Sequence, residues 1–85
     1  MRGQPVDLTG TEYRLLYTLV RNAGQIMTHE VLLARAWGRE YTDEISYLKS
    51  YIHRLRLKLE PDPHRPEYIL TEHGVGYWFR PAAEE

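Results

Sequence analysis

Lys49, Arg54, Arg56 and Lys58 crowd the stretch from Ile45 to Leu59, which contains no acid, while Glu40, Asp43 and Glu44 lie just before it and Glu60 and Asp62 just after. A guanidinium can donate two hydrogen bonds to guanine O6 and N7, and basic side chains also hold phosphates, so a cationic stretch of this kind suits a polyanionic partner. Catalysis finds less material. The four histidines, His29, His53, His64 and His73, lack metal-ligand spacing, no glycine-rich phosphate loop occurs, and no two acids are placed in sequence as a dyad. The residues therefore point to binding rather than to an enzyme, with no cofactor and no metal.

The basic stretch must be carried by a helix. Ile45, Leu48, Ile52, Leu55 and Leu59 recur at steps of three and four, which predicts a third helix over Ile45 to Glu60 with these residues facing the core, stopped by Pro61. The opposite face then shows Ser46, Tyr47, Ser50, His53, Arg54 and Leu57, flanked by Lys49 and Arg56 on one side and Tyr51 and Lys58 on the other. A first helix is predicted over Thr11 to Asn22. Thr9-x-x-Glu12 matches a capping box at its start, Tyr13, Leu16, Tyr17, Leu19 and Val20 give it an apolar periodicity, and Asn22-Ala23-Gly24 suits its end. A second helix over His29 to Trp37 is capped by Thr28, ends at Gly38, and sets Val31, Leu32, Ala36 and Trp37 on one face.

Beyond the third helix, Pro61, Pro63 and Pro66 make the intervening segment a rigid loop, since proline fixes φ and removes a donor. Tyr68 to Thr71 and Tyr77 to Arg80 are rich in aromatic and β-branched residues, with glycines between them, and predict a C-terminal hairpin. Val6-Asp7-Leu8 alternates and is expected to add a short third strand, and Ala82 to Glu85 is expected to fray.

The chain has 85 residues, enough for one domain with a modest core, and its lack of cysteine rules out both disulfides and thiolate metal sites as staples. Apolar runs are far shorter than the ~20 residues of a membrane span, and a cytoplasmic setting fits. The net charge of -1 is low for a nucleic-acid-binding domain, but its distribution matters more than the sum, since one basic segment free of acids is bracketed by acids.

Three helices followed by a hairpin, the third helix basic on its outer face, is the layout of an α+β winged helix-turn-helix, which sets one helix in the major groove. The alternative, a small α+β domain whose basic helix is merely solvated, accounts less well for the hairpin and the acid-free helix. Four motifs in order, Leu8-Thr9-x-x-Glu12-Tyr13-x-Leu15-Leu16, Leu32-Leu33-x-x-x-Trp37-Gly38, Tyr51-Ile52-x-x-Leu55-Arg56-x-Lys58-Leu59 and Gly74-Val75-Gly76-Tyr77-x-Phe79, resemble the DNA-binding output domains of OmpR/PhoB-type response regulators, KdpE-like members in particular. The resemblance covers almost all of residues 1–85. It implies a sequence-specific transcription factor of a two-component system, binding double-stranded promoter DNA at direct repeats, usually as a tandem dimer, under control of a phosphorylated receiver domain outside this chain.

Position by position, the resemblance puts Ser50 and Arg54 at base edges with Lys49 and His53 beside them, and matches Trp37, Tyr51, Arg56 and Tyr77 to phosphate-holding positions. Tyr47 and Lys58, on the outer face and flank of the third helix, join these as candidates for the DNA backbone. Large aromatics such as Trp37 and Tyr77 also serve as core in small domains. The wing is expected to use Thr71, His73 and Gly74; His73 stands where some relatives carry an arginine for the minor groove, so a wing that touches only the backbone is the expectation. The loop with Arg39, Glu40, Asp43 and Glu44 is expected to face RNA polymerase, and a winged helix that docks on polymerase or another regulator without reading DNA is the rival reading. The family's output domain begins with a four-stranded sheet, and this chain begins at what resembles its last strand; a fragment lacking most of that sheet is expected, a naturally short relative being the alternative.

Overall fold

The computed structural model describes residues 6–82. In chain order these form helix α1 (Gly10–Arg21), strand β1 (Met27–Thr28), helix α2 (His29–Ala36), a 3-10 turn (Arg39–Tyr41), helix α3 (Ile45–Leu59), and strands β2 (Ile69–Glu72) and β3 (Gly76–Phe79). The three helices enclose a core of Leu15, Leu19, Leu32, Leu33, Leu48, Ile52 and Leu55, which Ile69 and Tyr77 close from the sheet side.

The local signals at the helix starts operate as written. Thr9 Oγ1 accepts from Glu12 N at 3.2 Å and Thr9 N donates to Glu12 Oε1 at 3.0 Å, completing the capping box. Thr28 Oγ1 accepts from Val31 N at 3.2 Å to start α2, whose buried residues are Leu32, Leu33 and Ala36. Glu60 leaves the helical region at the end of α3, with Pro61 next.

The inward face of α1 and one residue of the α3 stripe differ from what the periodicity marks. The face of α1 that packs inward carries Glu12, Leu15, Thr18 and Leu19, while Tyr13, Tyr17 and Val20 stay exposed, Tyr13 at 58%. The apolar residues of α1 cover two adjoining faces with the same period. The leucine face packs inward, whereas the tyrosines keep their hydroxyl ends in water. On α3, Leu48, Ile52, Leu55 and Leu59 are buried as the spacing requires, but Ile45 is 39% exposed because the first turn runs beyond the end of the core.

The sheet has the order β1-β3-β2 and is antiparallel throughout. Its third strand is Met27–Thr28, not Val6-Asp7-Leu8, which is irregular in the structure. Met27 pairs with Tyr77 and Thr28 with Gly76. A Cβ at position 76 would run into the Met27 carbonyl oxygen, so only glycine lets β1 reach β3 this closely. The hairpin register pairs Ile69 with Phe79, Leu70 with Trp78, Thr71 with Tyr77 and Glu72 with Gly76. Its strands begin one residue later and one earlier than the composition suggests. The His73-Gly74-Val75 turn takes Gly74 through φ +77°, a left-handed conformation favourable for glycine. The expectation of a frayed end falls largely on residues 83–85, outside the described residues.

The long connection from α3 to β2 is held by side chains rather than by its own path. Glu60, 6% exposed, accepts from Glu67 N at 2.7 Å, from Tyr68 N at 3.0 Å and from Ile69 N at 2.8 Å. One carboxylate thus satisfies three successive backbone donors at the entry to β2. Asp62 adds order within the loop, its carbonyl accepting from Arg65 N and its carboxylate from His64 N, and Arg80 donates to the carbonyls of Glu67 and Tyr68 at its far end.

Candidate nucleic-acid interface

The outer face of α3 presents Ser46, Tyr47, Lys49, Ser50, His53, Arg54 and Leu57, all exposed. Helical periodicity is the reason: with Leu48, Ile52, Leu55 and Leu59 turned inward, these positions must turn outward. The side chains of Lys49, Ser50, His53 and Arg54 make no hydrogen bond or ion pair among the described residues, so their donors face solvent. An exposed polar ridge with free cationic and neutral donors, about as wide as a helix, has the form that enters a major groove.

Arg54 does have one neighbour. Its guanidinium carbon lies 4.4 Å from the centroid of the Tyr51 ring. Tyr51 is half-buried and meets Trp37 edge-on, centroids 5.0 Å apart at 86°, and Trp37 in turn lies 6.3 Å from Tyr47, which lies 6.3 Å from Tyr41. Trp37 and Tyr51 both pack against the hydrophobic core. An aromatic row therefore runs from the turn after α2 to the middle of α3.

The remaining cations of α3 are turned to internal partners. Arg56 is half-buried; its Nε and Nη2 donate to the Ile69 carbonyl at 3.1 and 2.8 Å, Nη2 also donates to Thr71 Oγ1 at 2.8 Å, and the guanidinium sits 5.8 Å from the Tyr77 ring centroid. Burial lowers the pKa of Arg56, opposed by the Tyr77 hydroxyl and the Glu60 carboxylate; an arginine nonetheless stays a cation in proteins. Lys58 Nζ pairs with the buried Glu12 at 2.6 Å and donates to the Asp7 carbonyl at 2.8 Å. Burial acts against the charge of Glu12, yet the Lys58 ammonium, the Thr9 N–H and the more distant Arg54 outweigh it and hold the carboxyl below its usual range.

Tyr77 is 5% exposed, its ring in the core and edge-on to His29 at 5.8 Å; burial raises its hydroxyl pKa and Arg56 opposes that rise. The geometry thus separates the sequence candidates into two sets. Lys49, Ser50, His53, Arg54 and Tyr47 share one open face, whereas Arg56, Lys58 and Tyr77 are structural members that join α3 to the wing and to α1. Thr71, His73 and Gly74 are exposed along and at the tip of the hairpin, with Thr71 Oγ1 already taken as an acceptor by Arg56. Arg39, Glu40 and Asp43 are exposed at and just after the 3-10 turn, and Glu44 is half-buried at the start of α3. The role of Glu60 at the entry to β2 has no periodic or motif signal in the sequence, where it is a lone acid before a proline.

No helix among the described residues is long and apolar enough to cross a membrane. Residues 3–79 match the family described as transcriptional regulatory protein, C terminal. Among solved structures, the DNA-binding domain of CpxR from E. coli is 36% identical with a TM-score of 0.80, over 98% of this chain and 81% of that one. The DNA-binding domain of RstA from Klebsiella pneumoniae, solved in complex with its RstA box, is 34% identical with a TM-score of 0.83, over 94% of this chain and 79% of that one. The response regulator DrrB, a Thermotoga maritima OmpR/PhoB homologue, is 36% identical with a TM-score of 0.74, over 94% of this chain; the match spans 36% of DrrB itself.

Proposed function

The chain belongs to the family of C-terminal domains of transcriptional regulatory proteins, of the OmpR/PhoB type, and from that premise we propose that it is the DNA-binding output domain of a two-component response regulator, reading double-stranded promoter DNA through α3. The observation that carries this reading is the outer face of α3, where Lys49, Ser50, His53 and Arg54 stand exposed with their donors free. Arg54 reads a guanine through O6 and N7, and Lys49, Ser50 and His53 contact neighbouring bases. Tyr47 and Trp37, with what remains free on Arg56 and Lys58, line the adjoining phosphates and set the register. The wing, through Thr71, His73 and Gly74, lies along the backbone.

The wider assembly is part of the same proposal. The domain works in the cytoplasm as a tandem dimer on direct repeats, is governed by a phosphorylated receiver outside this chain, and offers RNA polymerase the Arg39, Glu40, Asp43 and Glu44 segment. The reading in which polymerase docking replaces DNA recognition is not favoured, since structural relatives include a domain solved on its DNA box. Likeness to KdpE-type members adds the narrower proposal of potassium-transport control.

Selection of bound sequences from a random duplex pool at moderate salt, with wild type and Arg54→Ala side by side, tests the reading. Enrichment of a defined half-site that Arg54→Ala relaxes at one guanine, by ~1–3 kcal/mol, is the expected result. No enrichment with the folded chain overturns it, and an enriched site upstream of potassium-transport genes would bear on the narrower proposal.

A further inference from the structure

We infer that Tyr51 is a positioning residue: its ring holds the Arg54 guanidinium in the orientation from which Arg54 reads its base, an inference that rests on the base-reading role proposed for Arg54. An arginine on an exposed helix face samples many rotamers, and the entropy of ordering it opposes every contact it makes. Arg54 is not free in this way. Tyr51 lies three residues earlier on α3, hence on an adjoining part of the same surface, and the guanidinium carbon sits 4.4 Å from the centroid of its ring.

The platform is itself fixed. Tyr51 is half-buried, packs against the core, and is met by Trp37 at 5.0 Å and 86°, an edge-to-face arrangement that holds the ring plane. Stacking and base reading use different parts of the guanidinium. With its carbon over the ring, the guanidinium is held through charge and quadrupole, an attraction that occupies none of its N–H donors. Arg54 can therefore stay stacked on Tyr51 while it donates edge-on to guanine O6 and N7. Ordering before binding lowers the entropic cost of the contact and disfavours the alternative in which a loose arginine swings to a phosphate.

A role through the ring differs from the phosphate contact through the hydroxyl that the family resemblance implies, and the two predict opposite behaviour. The ratio of affinities for the selected half-site and for the same duplex with the Arg54-read guanine pair replaced is measured for wild type, Tyr51→Phe, Tyr51→Leu, Arg54→Ala and the Tyr51→Leu/Arg54→Ala double variant. Thermal unfolding confirms that each is folded, and Tyr51→Met, an unbranched filler for the same half-buried space, stands in if Tyr51→Leu is not. Tyr51→Leu lowers the ratio about two- to fivefold with the affinity for the replaced duplex and the salt dependence unchanged. Tyr51→Phe keeps the wild-type ratio, and Tyr51→Leu adds no further loss of discrimination in the Arg54→Ala background.

An unchanged ratio in Tyr51→Leu, a uniform weakening on all duplexes in Tyr51→Phe, or the same loss with and without Arg54 overturns the inference while leaving Arg54 as the reader. If Arg54→Ala relaxes no base pair, the base-reading role fails and the inference falls with it.

Discussion

Glu60 illustrates how much one buried side chain can decide. Its carboxylate takes three backbone N–H donors from Glu67, Tyr68 and Ile69 in a position almost closed to water. Hydrogen bonds to a charged acceptor each contribute about 1.5–3 kcal/mol, and a buried donor left unpaired costs ~1–3 kcal/mol. Glu60→Gln keeps the shape but turns an N–H toward these donors. It should lower stability by about 2–3 kcal/mol, seen as a fall in Tm of roughly 10–20 °C; an unchanged Tm would show that water replaces the carboxylate freely.

Glu12 links stability to pH at the same scale. Its folded pKa lies below the ordinary value of 4.5, so its contribution is present above that value and is lost as pH falls through the folded pKa. Denaturant unfolding between pH 6 and roughly 3 should lose stability more steeply for wild type than for Glu12→Gln, whose curve flattens in the acid part of that window. Of these residue roles, the exposure of Lys49, Ser50, His53 and Arg54 was legible from period alone. The pairings Glu12 with Lys58, Arg56 with Ile69 and Glu60 with Tyr68 were not, because each joins residues that only the tertiary fold brings together.

At the scale of elements, α3 and the wing behave as one piece because Arg56 donates across the gap to the Ile69 carbonyl and the Thr71 hydroxyl. Removing that clamp should leave the helices intact and loosen the hairpin. Arg56→Ala is expected to speed amide exchange in β2 and the His73-Val75 turn more than in α1, and to cost about 1–3 kcal/mol. Arg56→Lys should rescue little, since a point charge cannot reproduce the fork of donors. Equal protection of the hairpin in wild type and Arg56→Ala would refute the clamp.

Helix positions and caps were legible from Thr9-x-x-Glu12, from Thr28, and from the leucine spacing of α3, all of which act over a few residues. Strand β1 was not, for a two-residue strand has no period, and Val6-Asp7-Leu8 shows a better alternation. Likewise the choice between the tyrosine and leucine faces of α1 depended on what α2 and α3 offered to pack against.

The molecule as a whole carries a net charge of -1, and that figure conceals a division of labour. Helix α3 carries four cations and no acid, and Glu40 and Asp43 are exposed acids in the turn between α2 and α3. DNA binding should weaken with salt in proportion to the phosphates neutralised, the logarithm of affinity falling by about 0.9 per phosphate for each tenfold rise in salt. Neutralising Glu40, Asp43 and Glu44 together should leave operator affinity and that salt slope in place while promoter output drops, as filter binding and a reporter assay can resolve. Loss of operator affinity would show instead that the acidic turn supports α3 itself.

The proline-bearing connection from Pro61 to Pro66 has an implication of its own. Since Glu60 holds the backbone on the far side of that connection and Arg56 holds β2 beyond it, the placing of the wing does not rest on the residues between, where Asp62 makes only local bonds to His64 and Arg65. Doubling such a length costs only ~0.6 kcal/mol in closure entropy. A peptide spliced between Asp62 and Arg65 would therefore hang from the domain like a pennant, giving a place to attach a dye or an affinity handle without altering how helix and wing meet the duplex.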